Sequence, residues 1–238
     1  MDSTVKTENT KEMTLFEHLG ELRKRLLVIL IGLFVGVLVN FAFADKIIGF
    51  LAAPIGGLQK LQSIEITENV GVFMRVSLLG GFILAFPLIL YEIIAFVVPG
   101  LKPGERKWLF LSIPLLFIMF VGGVVFTYFV MLPAAVPFLV QFLGVTTVPR
   151  LSNYINFVTN LMFWVGIIFE TPLVVFILTK LHIVTPRLLL KGWRFAVVIS
   201  AIVAAVITPT VDPVNMALLM APMLGLYLLS VLMSVFAR

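Results

Sequence analysis

The stretch "VFMRVSLLGGFILAFPLILYEIIAFVV", residues 72–98, decides the fold. Apart from Arg75 near its start and Glu92 near its end it carries no charge. Its length is sufficient to cross a hydrocarbon core of roughly 30 Å as a helix. Pro87 sits inside it, which implies a kink that neighbouring helices must cover. The rest of the chain repeats the pattern. Of 238 residues, 61% are hydrophobic and only 12% charged, and the mean hydropathy is +1.15. Soluble domains are nearer half apolar and a quarter charged. The fold class is an all-α integral membrane protein forming one polytopic domain over residues 1–238.

Working outward, six transmembrane helices are expected at roughly 26–44, 73–97, 107–132, 154–179, 192–207 and 215–236. Pro114, Pro172 and Pro222 interrupt the third, fourth and last. The fifth is short: from Trp193 to Ile207 it supplies about 22 Å of helix, which predicts local thinning of the bilayer. Lysine and arginine fix the sidedness. The arm 1–25, the loops after helices 2 and 4 and the C-terminus hold most of them, including Lys24, Arg106, Lys191 and Arg238. The opposite side has Lys46, Lys60, Arg75 and Arg150. By the positive-inside rule both termini are cytoplasmic. The loops 45–72 and 133–153 on the far side are too short for separate domains, and "ITPTVDPVN" (207–215) reads as a tight turn.

Several chemistries are excluded by composition. There is no cysteine, and the two histidines, His18 and His182, are too few for a metal site. No cofactor is expected, and nothing resembles the paired groups of an enzyme.

Three acids then stand out. In "HLGELRKRLL" (18–27) Glu21 faces Arg23, Lys24 and Arg25 at the membrane edge. Thr14 and Glu17 read as a capping box, and Leu15, Leu19, Leu22 and Leu26 form an apolar stripe, so an amphipathic segment leads into helix 1. Glu21 can be read as an i,i+4 partner of Arg25, or as an acceptor for guanidinium groups. Glu105, in "PGLKPGERK" (99–107), either stabilises a helix start or pairs with Glu21 in that acceptor. Glu170, in "WVGIIFETPLVV", lies about ten residues and roughly 15 Å from Lys180, near mid-membrane depth. There it is either a protonated or hydrogen-bonded structural acid or a functional one. Glu92 is closer to the helix end and can snorkel. Asp212 reads as a cap for the last helix.

Together "HLGELRKRLL", "LAAPI", "FPLILYEIIAFVVPGLKPGERK", "FTYFVMLP", "IIFETP" and "ITPTVDPVN" resemble, in order and spacing, the motifs of the TatC family. TatC is the polytopic subunit of the twin-arginine protein translocase. The resemblance implies a concave arrangement of six helices in the cytoplasmic membrane of a prokaryote. It also implies a receptor for twin-arginine signal peptides of folded cargo, within export driven by the proton-motive force. Glu21 and Glu105 match positions implicated in binding the signal arginines, and Phe96 and Arg23 match others tied to signal recognition. Pro54, Tyr128 and Asp212 match functionally sensitive positions on the far side, and Glu170 matches an acid associated with contacts to partner subunits. The implied partners are TatA and TatB-like single-span subunits, membrane lipid and further copies within a larger complex, with no nucleic acid. Met216 and Leu228 depart from the family pattern, standing where glutamine and glutamate are common. The alternative is a proton-coupled transporter using Glu170, although such proteins usually show internal repeats and broken helices, which the sequence does not display.

Overall fold

The computed structural model describes residues 15–100, 103–141, 147–208 and 213–237, with only the backbone of Leu15, Gly100, Pro103 and Glu105. Thr14 of the expected capping box, the Glu105 side chain and Asp212 therefore lie outside the described residues. Those residues form helices α1 (Leu15–Phe41), α2 (Ala44–Leu51), α3 (Glu68–Val97), α4 (Pro103–Phe126) and α5 (Leu132–Val140). They continue with α6 (Leu151–Phe169), α7 (Thr171–Lys180), α8 (Pro186–Lys191), α9 (Trp193–Ile207) and α10 (Pro213–Phe236). Strand pairing among them is limited to a single bridge between Gln62 and Arg150.

Among the described residues four apolar stretches are long enough to cross a membrane: Glu68–Val97, Arg106–Val140, Leu151–Lys180 and Pro213–Phe236. A fifth crossing arises if Phe16–Phe41 and Ala44–Ile55, bent by 77°, count as one span. Trp193–Ile207 has 15 residues and is shorter than the rest. The amphipathic segment and the first span are one continuous helix, because the leucine stripe runs into the apolar run without a breaker.

α1 and α3 pair antiparallel along most of their length. Small residues allow this: a Cβ placed on Gly36 would stand 2.6 Å from the Gly81 carbonyl oxygen. One turn on, buried Asn40 donates from Nδ2 to the carbonyl of Val76 at 3.2 Å, replacing the solvent its amide gives up. α4 crosses α6 in the same fashion at Gly123 and Gly166, where an added Cβ on Gly123 would lie 2.8 Å from the Gly166 Cα. α10 packs on α7 and α9. Arg75 ties α3 to α6 by donating to Thr159 Oγ1 at 2.9 Å and Asn160 Oδ1 at 2.7 Å.

The third span departs from the expected helix at 107–132. Its buried stripe runs through Leu109, Ser112, Leu116, Phe120, Gly123 and Thr127, then steps on by one residue to Tyr128, Met131 and Ala135. A wide π turn, Thr127–Met131, makes that step. In a plain α-helix one extra residue would rotate everything beyond it; the wider turn takes that residue up, so α5 keeps an inward apolar face.

The fourth span breaks at Glu170. Pro172 cannot donate to the carbonyl four residues back, that of Ile168, and the Thr171 hydroxyl donates to it instead at 2.6 Å. The stretch 45–72, expected as a loop, opens with α2, which buries Ala44, Ile48 and Leu51 at helical spacing. Two short 3-10 turns follow, separated by Gly56 and Gly57 at φ values of 97° and 101°.

Candidate functional site

At one end of the α1–α3 pair three charged side chains meet. Glu21 and Arg25 lie one turn apart on α1, and Glu92 faces them from the last turns of α3. Arg25 donates from Nε and Nη2 to Oε1 of Glu21, at 3.0 and 2.6 Å. Its Nη1 donates to Oε2 of Glu92 at 2.9 Å. The other oxygen of Glu21, Oε2, is buried and meets no donor among the described residues. Two carboxylates thus share one guanidinium, leaving an excess negative charge and one unsatisfied acceptor. Such a buried acceptor is costly until a donor arrives, and charged donors supply the strongest bonds.

The aromatic neighbours complete this end. His18, one turn before Glu21, stacks on Phe96 with ring centroids 4.3 Å apart and planes 21° from parallel. The contact clips the start of α1 to the end of α3. Of the residues singled out in the sequence, Glu21 and Phe96 therefore lie on the same α1–α3 seam. Arg23 does not join them. Two residues from Glu21 is a rotation of about 200°, which puts it on the opposite, exposed face, and Arg25 fills the place beside the acids. The backbone of Glu105 falls in the first turn of α4. Both Glu92 and His18 were missed as site residues. Glu92 looks dispensable when each helix is read alone, and no local pattern reports that it meets Arg25.

Glu170 lies away from this cluster, at the joint between α6 and α7. It is 7% exposed, and neither carboxyl oxygen meets a hydrogen-bond donor among the described residues.

At the other end the folded-back α2 is anchored by two tyrosines. Tyr128 donates its hydroxyl to the Phe50 carbonyl at 2.9 Å and stacks on the Phe50 ring at 4.1 Å. Tyr154 donates to the neighbouring Leu51 carbonyl at 2.8 Å. These carbonyls belong to the last turn of α2, where intrahelical donors run out. Pro54 sits just beyond, half-buried in the 3-10 turn Ala53–Ile55. A second charged cluster braces this end. The Glu68 carboxylate, 1% exposed as a side chain, accepts from the backbone N–H of Ile64 (2.9 Å) and Ser152 (2.7 Å) and from Arg150 Nε (3.0 Å). Arg150 also reaches Glu65 at 2.9 Å. Hydrogen bonds to Glu65 and Glu68 push the Arg150 guanidinium above its ordinary value, so it stays charged. Nothing in the sequence marked Glu68.

With this geometry in view, comparison with known proteins is decisive. The sequence model of the family described as Sec-independent protein translocase protein (TatC) matches residues 17–222. The chain belongs to the TatC family. A Sec-independent protein translocase protein TatC from Carboxydothermus hydrogenoformans is 38% identical over 231 residues, covering 96% of this chain and 95% of that protein. The TatC protein of Deinococcus radiodurans is 39% identical over 232 residues, covering 92% and 85% of the two chains. A crystal structure described as the twin arginine translocase receptor TatC superposes with a TM-score of 0.80. It is 33% identical and covers 93% of this chain and 99% of its own. TatC relatives are named for protein translocation, a transport function, and the comparisons do not favour the proton-coupled transporter. The chain is a multi-pass membrane component of Sec-independent, twin-arginine protein translocation.

Proposed function

We propose that this TatC is the receptor for twin-arginine signal peptides, binding them through Glu21 and Glu105 at the cytoplasmic end of the α1–α3 pair. The observation that carries this reading is the charge count there: among the described residues Glu21 and Glu92 share only Arg25, and one Glu21 oxygen meets no donor. A guanidinium satisfies that acceptor with both charge and directional N–H groups. Glu105, at the start of α4, supplies a second acid for the second arginine, and Phe96 a half-buried aromatic surface beside the pair. The hydrophobic part of the signal lies along the helices.

The same reading makes the protein six-spanning with both termini cytoplasmic, in the cytoplasmic membrane of a prokaryote. The lysine and arginine asymmetry supports it, and so does the apolar character of α9, which crosses if the bilayer thins beside it. Glu170 serves the recruitment of TatA and TatB-like single-span subunits, supported by its buried carboxyl without a donor. Pro54 and Tyr128 act indirectly, by holding α2 against the far end. Asp212 acts just ahead of α10 in the chain. Export of folded cargo then draws on the proton-motive force.

The test is crosslinking of a signal peptide to the protein in membranes, comparing Arg-Arg with Lys-Lys. Capture of the Arg-Arg form falls at least about tenfold in Glu21→Ala and in Glu105→Ala, a loss of one charge-assisted contact each. Undiminished capture in the double variant would overturn the receptor reading.

A further inference from the structure

Glu21 is already occupied by an arginine of its own chain. We infer that Arg25 is a resident competitor for the signal's guanidinium, and that Glu92 is the positioning residue that receives Arg25 when the signal displaces it. The inference rests on the receptor reading of Glu21 given above.

Arg25 places two donors, Nε and Nη2, on a single oxygen of Glu21, and one donor, Nη1, on Glu92. The guanidinium is a rigid planar fork, so a small rotation of the Arg25 side chain exchanges which acid receives the paired donors. Arg25 and both acids are only partly exposed, with side-chain exposures of 23%, 21% and 11%. Neither charge can therefore be left unpaired cheaply. An arginine that leaves Glu21 must find another anion in reach, and Glu92 is that anion.

Charge balance points the same way. Before binding, two carboxylates face one guanidinium among the described residues. When an incoming arginine takes Glu21 and Arg25 moves to Glu92, two carboxylates face two guanidiniums, and every charge at the seam is paired. Without the Glu92 charge, Arg25 and Glu21 would already balance, and the signal would have to break a complete ion pair.

Selectivity follows from the same competition. A guanidinium replaces a guanidinium bond for bond, whereas the compact ammonium of lysine cannot reproduce the paired donors it would displace. The resident arginine thus rejects lysine by outcompeting it, a repulsive element built into the site.

The experiment measures binding of fluorescent Arg-Arg and Lys-Lys signal peptides to the purified full-length protein in lipid nanodiscs. Glu92→Gln is expected to weaken Arg-Arg binding about tenfold, with Glu92→Asp intermediate. Adding Arg25→Gln to Glu92→Gln restores binding to within about threefold of wild type, because the competitor that lost its refuge is gone. Arg25→Gln alone lowers the Arg-Arg over Lys-Lys preference about tenfold. A merely structural Glu92 would leave the double variant as weak as Glu92→Gln and the peptide preference of Arg25→Gln unchanged, and either result overturns the inference. Glu21→Gln is the separate control: unaltered peptide binding in that variant defeats the receptor reading itself. Loss of binding there, with wild-type behaviour in Glu92→Gln, defeats only the competitor.

Discussion

Gly36 and Gly81 bring α1 and α3 together backbone to backbone, with the Gly81 carbonyl oxygen only 2.6 Å from where a Gly36 Cβ would be. Backbone cannot rotate aside as a side chain can. Gly36→Ala is therefore expected to cost about 1–3 kcal/mol, the usual range for overpacking. It should also weaken the Arg25–Glu92 contact, which lies on the same seam. Gly122→Ala is the internal control. It meets nothing within 4 Å and sits inside α4, so it should be neutral or stabilise by about 0.5–1 kcal/mol. Thermal unfolding of the two variants in detergent, side by side, separates them.

Tyr128→Phe keeps the ring stack on Phe50 but strips the donor from its carbonyl. The expected loss is about 1–2 kcal/mol, that of leaving a shielded acceptor unmet. Tyr154→Phe should behave alike. Because the two hydroxyls serve adjacent carbonyls of one helix end, the double variant should depart from additivity and release α2. Limited proteolysis between residues 44 and 60 reads that release directly.

Glu68→Gln removes the carboxylate that gathers Ile64, Ser152 and Arg150. An amide retains one acceptor and brings two donors into a place filled with donors. Amide hydrogen exchange at Ile64 and Ser152 should accelerate markedly, while exchange in α10 stays as in wild type. Unchanged protection at both amides would show that the brace is immaterial.

Glu170→Leu should act in opposite directions on two measurements. Removing a buried carboxyl with no donor should raise the midpoint of thermal unfolding of the isolated protein, by the equivalent of about 1–3 kcal/mol. Co-purification of single-span partners should fall, since the group they would satisfy is gone. A lower midpoint would show that the carboxyl is already well accommodated within this chain.

How much of this was legible in the sequence depends on the range of the interaction. Apolar runs report helices directly, because hydropathy is a property of each segment by itself; α3 and α10 lie in the apolar runs at 73–97 and 215–236, while the run at 154–179 is divided between α6 and α7. Short-range spacing also spoke, for Glu21 and Arg25 one turn apart do pair. What stayed hidden was contact between distant segments. Glu92 meets Arg25 across 67 positions of chain, and His18 meets Phe96 across the same seam. Arg23, which the family resemblance ties to signal recognition, lies on the other, exposed face of α1. Likewise α2 is hard to see in the sequence, because its eight residues are too few to stand out beside the long spans.

The wide turn at Thr127–Met131 has one further consequence. Were the same residues wound there as plain α-helix, hydropathy and length would be untouched, yet α5 would swing by about 100° against everything before it. Val130 and Ala134, now facing outward, would be aimed at the interior, and Met131 and Ala135 away from it. The phase of this span is thus kept by a turn that absorbs one surplus residue, and a one-residue deletion beyond that turn, invisible to any composition profile, would scramble it more thoroughly than several apolar exchanges.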